Sequence, residues 1–190
     1  MLEQAKKRDH KIIITDMAID KVKMIELPDV DYNLCENIFY DHKKLLTESK
    51  NRNSSNEVLI IRSRCTGEKA VAFGDENEVS ASLSPSTMEI WNRAKESDLV
   101  YMHNHPATNI FSIADLQTFI RYSSIGTMSV VTNQGEVHIV HKTKDYSFNK
   151  AFRLLYEQYN NFKNGNISNE NAVKKFLKQC RKGGVYYARS

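Results

Sequence analysis

Leu99-Val100-Tyr101-Met102-His103-Asn104-His105-Pro106, followed by Ser112-Ile113-Ala114-Asp115, decides how this chain folds. A short apolar run leads straight into His-x-His-Pro. Side chains alternate across a strand, so an extended run sends both imidazoles to the same face. Asp115 stands ten residues beyond His105, where a carboxylate can complete a three-ligand set. Two His, one Asp and an open fourth position are the donor set of a catalytic zinc site, whereas a structural site is closed by four protein ligands. The spacing predicts a strand, a loop and a helix start gathered around one Zn2+.

The same residues support a plainer reading, and the two are compatible. Ser112-Ile113-Ala114-Asp115 is a capping box, with Ser112 accepting an N–H bond and Asp115 reaching back from the third helical position. Leu116, Phe119 and Ile120 follow as the apolar stripe of a helix. A helix N-terminus aimed at the histidine pair places Asp115 on the metal without disturbing the cap.

The full string resembles the signature of the JAMM (MPN-plus) zinc hydrolases, and the spelling His-Asn-His-Pro is that of the RadC-like and phage- or prophage-associated branches. The resemblance covers about residues 30–155. Upstream, Asn53-Ser54-Ser55-Asn56-Glu57-Val58 is similar to the family segment that delivers a glutamate at the start of a strand. Downstream, Val130-Val131-Thr132-Asn133-Gln134-Gly135-Glu136-Val137 is similar to the hairpin that follows the active-site helix. One departure stands out. Six residues, 106–111, separate His105 from Ser112, one fewer than in most JAMM proteins; shortening a surface loop by one residue costs little.

The resemblance implies an α/β fold, a mixed curved sheet flanked by helices with a cytidine-deaminase-like core. It implies zinc held by His103, His105 and Asp115, a water in the fourth position, Glu57 as general base and Ser112 as hydrogen-bond donor to the oxyanion. Glu57 also draws attention by itself, because it precedes the most apolar strand of the chain, where an uncompensated carboxylate is costly. Its rival, Glu68, lies in a turn, where a charge requires no explanation. The implied activity is zinc-dependent amide hydrolysis, by a peptidase or isopeptidase acting on a protein or peptide substrate, a ubiquitin-like conjugate among the family's substrates. The alternative is a non-catalytic MPN-like or RadC-like module that binds DNA or a protein partner.

Composition bounds these readings. At 190 residues and 41% apolar content the chain can bury a core. Cys35, Cys65 and Cys180 are widely spaced and form no Cys-x-x-Cys pair, so no disulfide framework is expected. No apolar run reaches the roughly 20 residues that span a bilayer, and the first ten residues lack a signal-peptide pattern. A cytoplasmic protein with reduced thiols and no membrane partner is the expectation. Six of the Lys and Arg residues fall within 169–190 against Glu170 alone, while the remainder carries 21 basic and 22 acidic side chains. Such a tail reads first as a solvated helix face and second as a nucleic-acid contact, with Tyr186 and Tyr187 beside the charges.

Along the chain, the pattern predicts strands over 10–14 and 18–27 in an N-terminal extension (1–30). A JAMM-like unit (31–163) follows, with helices over 31–50, from 84, over 112–122 and over 148–162. Its strands are expected over 57–63, 70–74, 78–83, 99–103, 128–132 and 137–141. His138 and His141, three apart on the last of these, should face opposite ways and share no ion. A basic helix over 169–180 then leads to Gly183-Gly184 and a frayed tail.

Overall fold

Strands covered on both faces are buried at every position rather than at alternate ones, and four strands of this chain are. They are β1 (Val58–Ser63), β3 (Leu99–His105), β4 (Ile125–Thr132) and β5 (Val137–Lys142), in which every residue is buried. The computed structural model describes residues 11–190. Two shorter edge strands, β2 (Lys69–Phe73) and β6 (Val185–Arg189), complete a six-stranded mixed sheet in the order β2-β1-β3-β4-β5-β6. Only the central β3–β4 pair is parallel, and the other four pairings are antiparallel.

Helices cover both faces. On one lie α1 (Asp16–Lys21) and α2 (Tyr32–Arg52), the latter started by Asp31, whose carboxylate accepts from the Leu34 N–H at 2.9 Å. On the other lie α3 (Pro85–Arg93), α4 (Ile113–Arg121), α5 (Phe148–Lys163) and α6 (Asn169–Gln179). Alternation along each strand divides the core accordingly. Val100, Met102, Ile60 and Ile139 pack with Leu45 and Leu46 of α2. Leu99, Tyr101, Leu59 and Val130 pack with Leu116, Phe119 and Phe176 of the opposite layer. The α/β class and the mixed sheet with flanking helices are as the sequence led us to expect.

Four segments differ from that reading. The strand expected over 18–27 is a single helical turn and an extended tail: the Thr15 hydroxyl accepts from the Ala18 N–H, Asp16 and Lys21 sit at the ends that favour their charges, and neither sheet edge reaches this segment to pair with it. The strand expected over 10–14 lies partly outside the described residues, and 11–15 has no regular structure. Gly135 (φ +87°) shows how closely α1 is seated, since a Cβ there would fall 2.0 Å from the Ala18 carbonyl oxygen.

The strand expected over 78–83 is a loop and a 3-10 turn. The Asp75 carboxylate accepts from the N–H groups of Asn77 and Glu78, at 2.7 and 3.1 Å, and curls the chain away from β2. The frayed tail is absent as well. Gly184 adopts a left-handed conformation (φ +73°) and turns the chain into β6, whose Val185 is fully buried and whose residues pair with β5 from His138↔Arg189 to Lys142↔Val185. Val-Tyr-Tyr is good strand material, and the glycines steer it rather than end it.

Candidate metal centre

The candidate site lies where the parallel strands β3 and β4 end, the usual place for a site in such sheets. Tyr101, His103 and His105 leave β3 on one face, while Met102 and Asn104 leave on the other. His103 and His105 are 3% and 9% exposed. Their Nε2 atoms lie 3.0 Å apart, and Asp115 in the first turn of α4 brings its carboxylate oxygens to 3.3 Å from His103 Nε2 and 3.5 Å from His105 Nε2. One ligand atom from each of the three lies within 4.8 Å of the others. Zinc–ligand bonds of about 2.0–2.1 Å at tetrahedral angles would place donors roughly 3.3 Å apart, so this set fits the ion. The orientation of His105 agrees: its Nδ1 lies 3.0 Å from the Asn109 carbonyl, a bond that puts the proton there and leaves Nε2 with its lone pair.

The capping box is present in full and shapes the carboxylate. Ser112 Oγ accepts from the Asp115 N–H at 3.1 Å, and both the Ser112 N–H and its hydroxyl donate to Asp115 Oδ2, at 2.6 and 2.7 Å. Asp115 is thus aimed before any ion arrives. The single Ser112 O–H is engaged with Asp115, so service as an oxyanion donor requires that bond to be exchanged. Asn169 at the start of α6 accepts from the Ile113 N–H at 3.3 Å and ties the next helix to this corner.

Glu57 sits immediately before β1, is 7% exposed and lines the same cleft of about 1440 Å3 as the three candidate ligands. Burial raises its pKa to about 7; the nearby His103 opposes this, while Asp115, Asp75 and Glu78 add to it. Burial alone would lower His103 and raise Asp115. Their mutual attraction outweighs it, holding the imidazole above its usual range and the carboxyl well below its own. His105, buried beside the positive His103, is pushed down to about 4. Glu68 is elsewhere, paired on the surface with Arg93 at 3.0 Å. His138 and His141 face opposite ways as expected, toward the Tyr187 hydroxyl and Thr127 Oγ1, each at 2.9 Å.

Two features of the site escaped the sequence reading. Asn104, between the histidines, points to the far face and joins separate segments. Its Oδ1 accepts from the Val58 N–H at 2.7 Å, and its Nδ2 donates to the Asn133 side chain at 2.8 Å and to the Asn56 carbonyl at 3.1 Å. Asn133 in turn donates to the carbonyls of Ile12 and Ser55. The loop that carries Glu57 is thereby fixed to the strand that carries the histidines. Period-two alternation marks Asn104 as inward-facing, but not its partners. Tyr101 completes the row with His103 and His105, and the same alternation would have found it; burial and then the charges of Asp115 and Glu57 keep its phenol protonated far above the usual range.

No family model, no curated protein and no solved structure matches the chain. Among the described residues no helix is long and apolar enough to cross a membrane. The three cysteines are free, Cys35 and Cys180 buried and Cys65 exposed.

Proposed function

We propose that this chain is a zinc-dependent amide hydrolase, a peptidase or isopeptidase of the JAMM type. The observation that carries the reading is the convergence of His103 Nε2, His105 Nε2 and the Asp115 carboxylate in a cleft that also holds the buried Glu57. The parallel β3–β4 pair, with α4 between them delivering Asp115, supports the JAMM/MPN arrangement as the finer description of the fold.

His103, His105 and Asp115 would hold the ion. When bound, zinc supplies Lewis acidity for the scissile carbonyl and lowers the pKa of a water nucleophile toward about 7. Glu57 takes the proton from the attacking water and passes it to the leaving nitrogen; its pKa near neutrality suits both tasks. Ser112 orients Asp115 and, once that hydroxyl is released, donates to the oxyanion.

The test loads the full chain with zinc, measures metal stoichiometry by mass spectrometry, and assays peptide and isopeptide amides. About one zinc per chain with turnover supports the reading. Glu57→Gln should cut turnover by at least about 100-fold while zinc stays bound; an active variant removes Glu57 as the base, and failure to take up zinc removes the reading altogether. Glu57 serves as a base only when ionised, so the rate should climb as pH rises through the range in which Glu57 loses its proton and fall below it.

A further inference from the structure

Beside the candidate ligands the cleft changes character. Met88 and Trp91 from α3, Tyr122 at the end of α4 and Tyr101 from β3 form an apolar wall adjoining His103. Trp91 meets Tyr101 and Tyr122 edge-to-face, with ring centroids 6.1 and 5.0 Å apart, and Tyr101 meets His103 in the same way at 5.9 Å. Tyr122 is 39% exposed, and Met88 and Trp91 are partly so, leaving aromatic surface open to water inside a concavity, where ligands bury apolar groups.

Tyr101 adds a second observation. It is only 7% exposed, it lines the cleft, and it carries a hydroxyl that can donate there. The charged residues of the lining are mainly acidic: Glu76, Glu78 and Glu170 stand at the rim, with Lys11 as the one Lys or Arg among the described lining residues. An acidic substrate would be repelled, and a neutral or cationic one admitted.

We propose that Met88, Trp91, Tyr101 and Tyr122 form a subsite for an aromatic or long aliphatic side chain of a neutral or basic peptide, with the Tyr101 hydroxyl donating to a carbonyl of the bound backbone. This names the substrate class of the hydrolase reading and rests on it. A cleft of this kind selects a bulky residue beside the reacting amide, not the paired glycines of a ubiquitin-like tail.

Trp91 is the only tryptophan of the chain, so its emission reports on this wall directly. The full chain, zinc-loaded and metal-stripped, is titrated with the blocked peptide acetyl-Ala-Phe-Ala-Lys-Ala-amide and with its counterpart carrying Ala in place of Phe. The subsite predicts a saturable emission change with the Phe peptide and binding at least about tenfold weaker for the Ala peptide. Tyr122→Ala, at an exposed position, should weaken the Phe peptide toward the Ala value. Tyr101→Phe keeps the ring and should weaken both peptides by a similar factor. Equal binding of the two peptides, or a Tyr122→Ala protein that binds the Phe peptide unchanged, overturns the subsite. Because emission requires neither zinc nor turnover, a selective response without hydrolysis would uphold the subsite and discard the hydrolase reading.

Discussion

Two histidine pairs lie in this sheet, one on β3 and one on β5, and all four residues are buried. His103 and His105 are two residues apart, so they share a face and meet Asp115. His138 and His141 are three apart, so they part to opposite faces and each finds a neutral hydroxyl. Burial pushes the β5 pair down, His141 to about 4, and leaves both neutral. The same burial acts on His103, yet Asp115 reverses its effect. Glu136 also lies 3.4 Å from His138, but it is nearly half exposed and has only one ring to hold. Depth in the core does not make a site; convergence on one face with an aimed carboxylate does.

The sharpest way to break this comparison is to remove one ring from each pair. His105→Ala should lower zinc affinity by more than about 100-fold, measured by competition with a chromophoric chelator. His141→Ala should leave zinc affinity unchanged and cost about 1–3 kcal/mol in chemical denaturation, because Thr127 then loses its buried partner. Loss of zinc in the second variant would show that the pairs are not functionally distinct.

A smaller effect concerns acid. His141, like His42 bonded to Ser129 Oγ at 2.7 Å, stays neutral in the fold down to about pH 4, whereas the unfolded chain takes up its proton near 6.5. A depressed folded pKa means that this stability is fully present above pH 6.5 and is lost as pH falls through 4. The slope should approach 1.4 kcal/mol per pH unit for each histidine within that window. His141→Gln should flatten it by one proton's worth in urea melts collected from pH 7 to 4, and an unaltered slope would mean that His141 does not titrate this way. The smallest effect is expected from Ser112→Ala. Loss of the cap should cost about 1 kcal/mol, and the freed Asp115 should weaken zinc by up to about tenfold. Unaltered affinity would show that the ion, not Ser112, orients the carboxylate.

Much of the site was legible because its signals are local. His103, His105 and Asp115 are joined by the period of a strand and the geometry of a helix start, and Ser112 by the cap. Glu57 was legible for another reason, as a carboxylate placed against an apolar run. What could not be read depends on distant partners. Asn104 matters through Val58, Asn56 and Asn133, which only the folded sheet brings near it. The segment 18–27 has strand-like composition but no edge on which to pair, and 78–83 is curled by one aspartate side chain. The last five strand residues read as a tail because Gly183-Gly184 looks like punctuation. In the fold Gly183 packs against Ala151, and a Cβ on Gly184 would meet the Asp145 carbonyl oxygen at 2.4 Å.

That final strand carries a consequence for solubility. β5 is buried along its length only because β6 occupies its outer edge. Cutting the chain at Gly184 would leave β5 with a row of open N–H and C=O groups, the template on which separate molecules join edge to edge. β6 itself is a poor template, being five residues long, largely half-exposed and ending in Arg189. The short basic strand therefore acts as a guard against self-association, and a protein trimmed before Val185 should aggregate at concentrations where the full chain stays monodisperse.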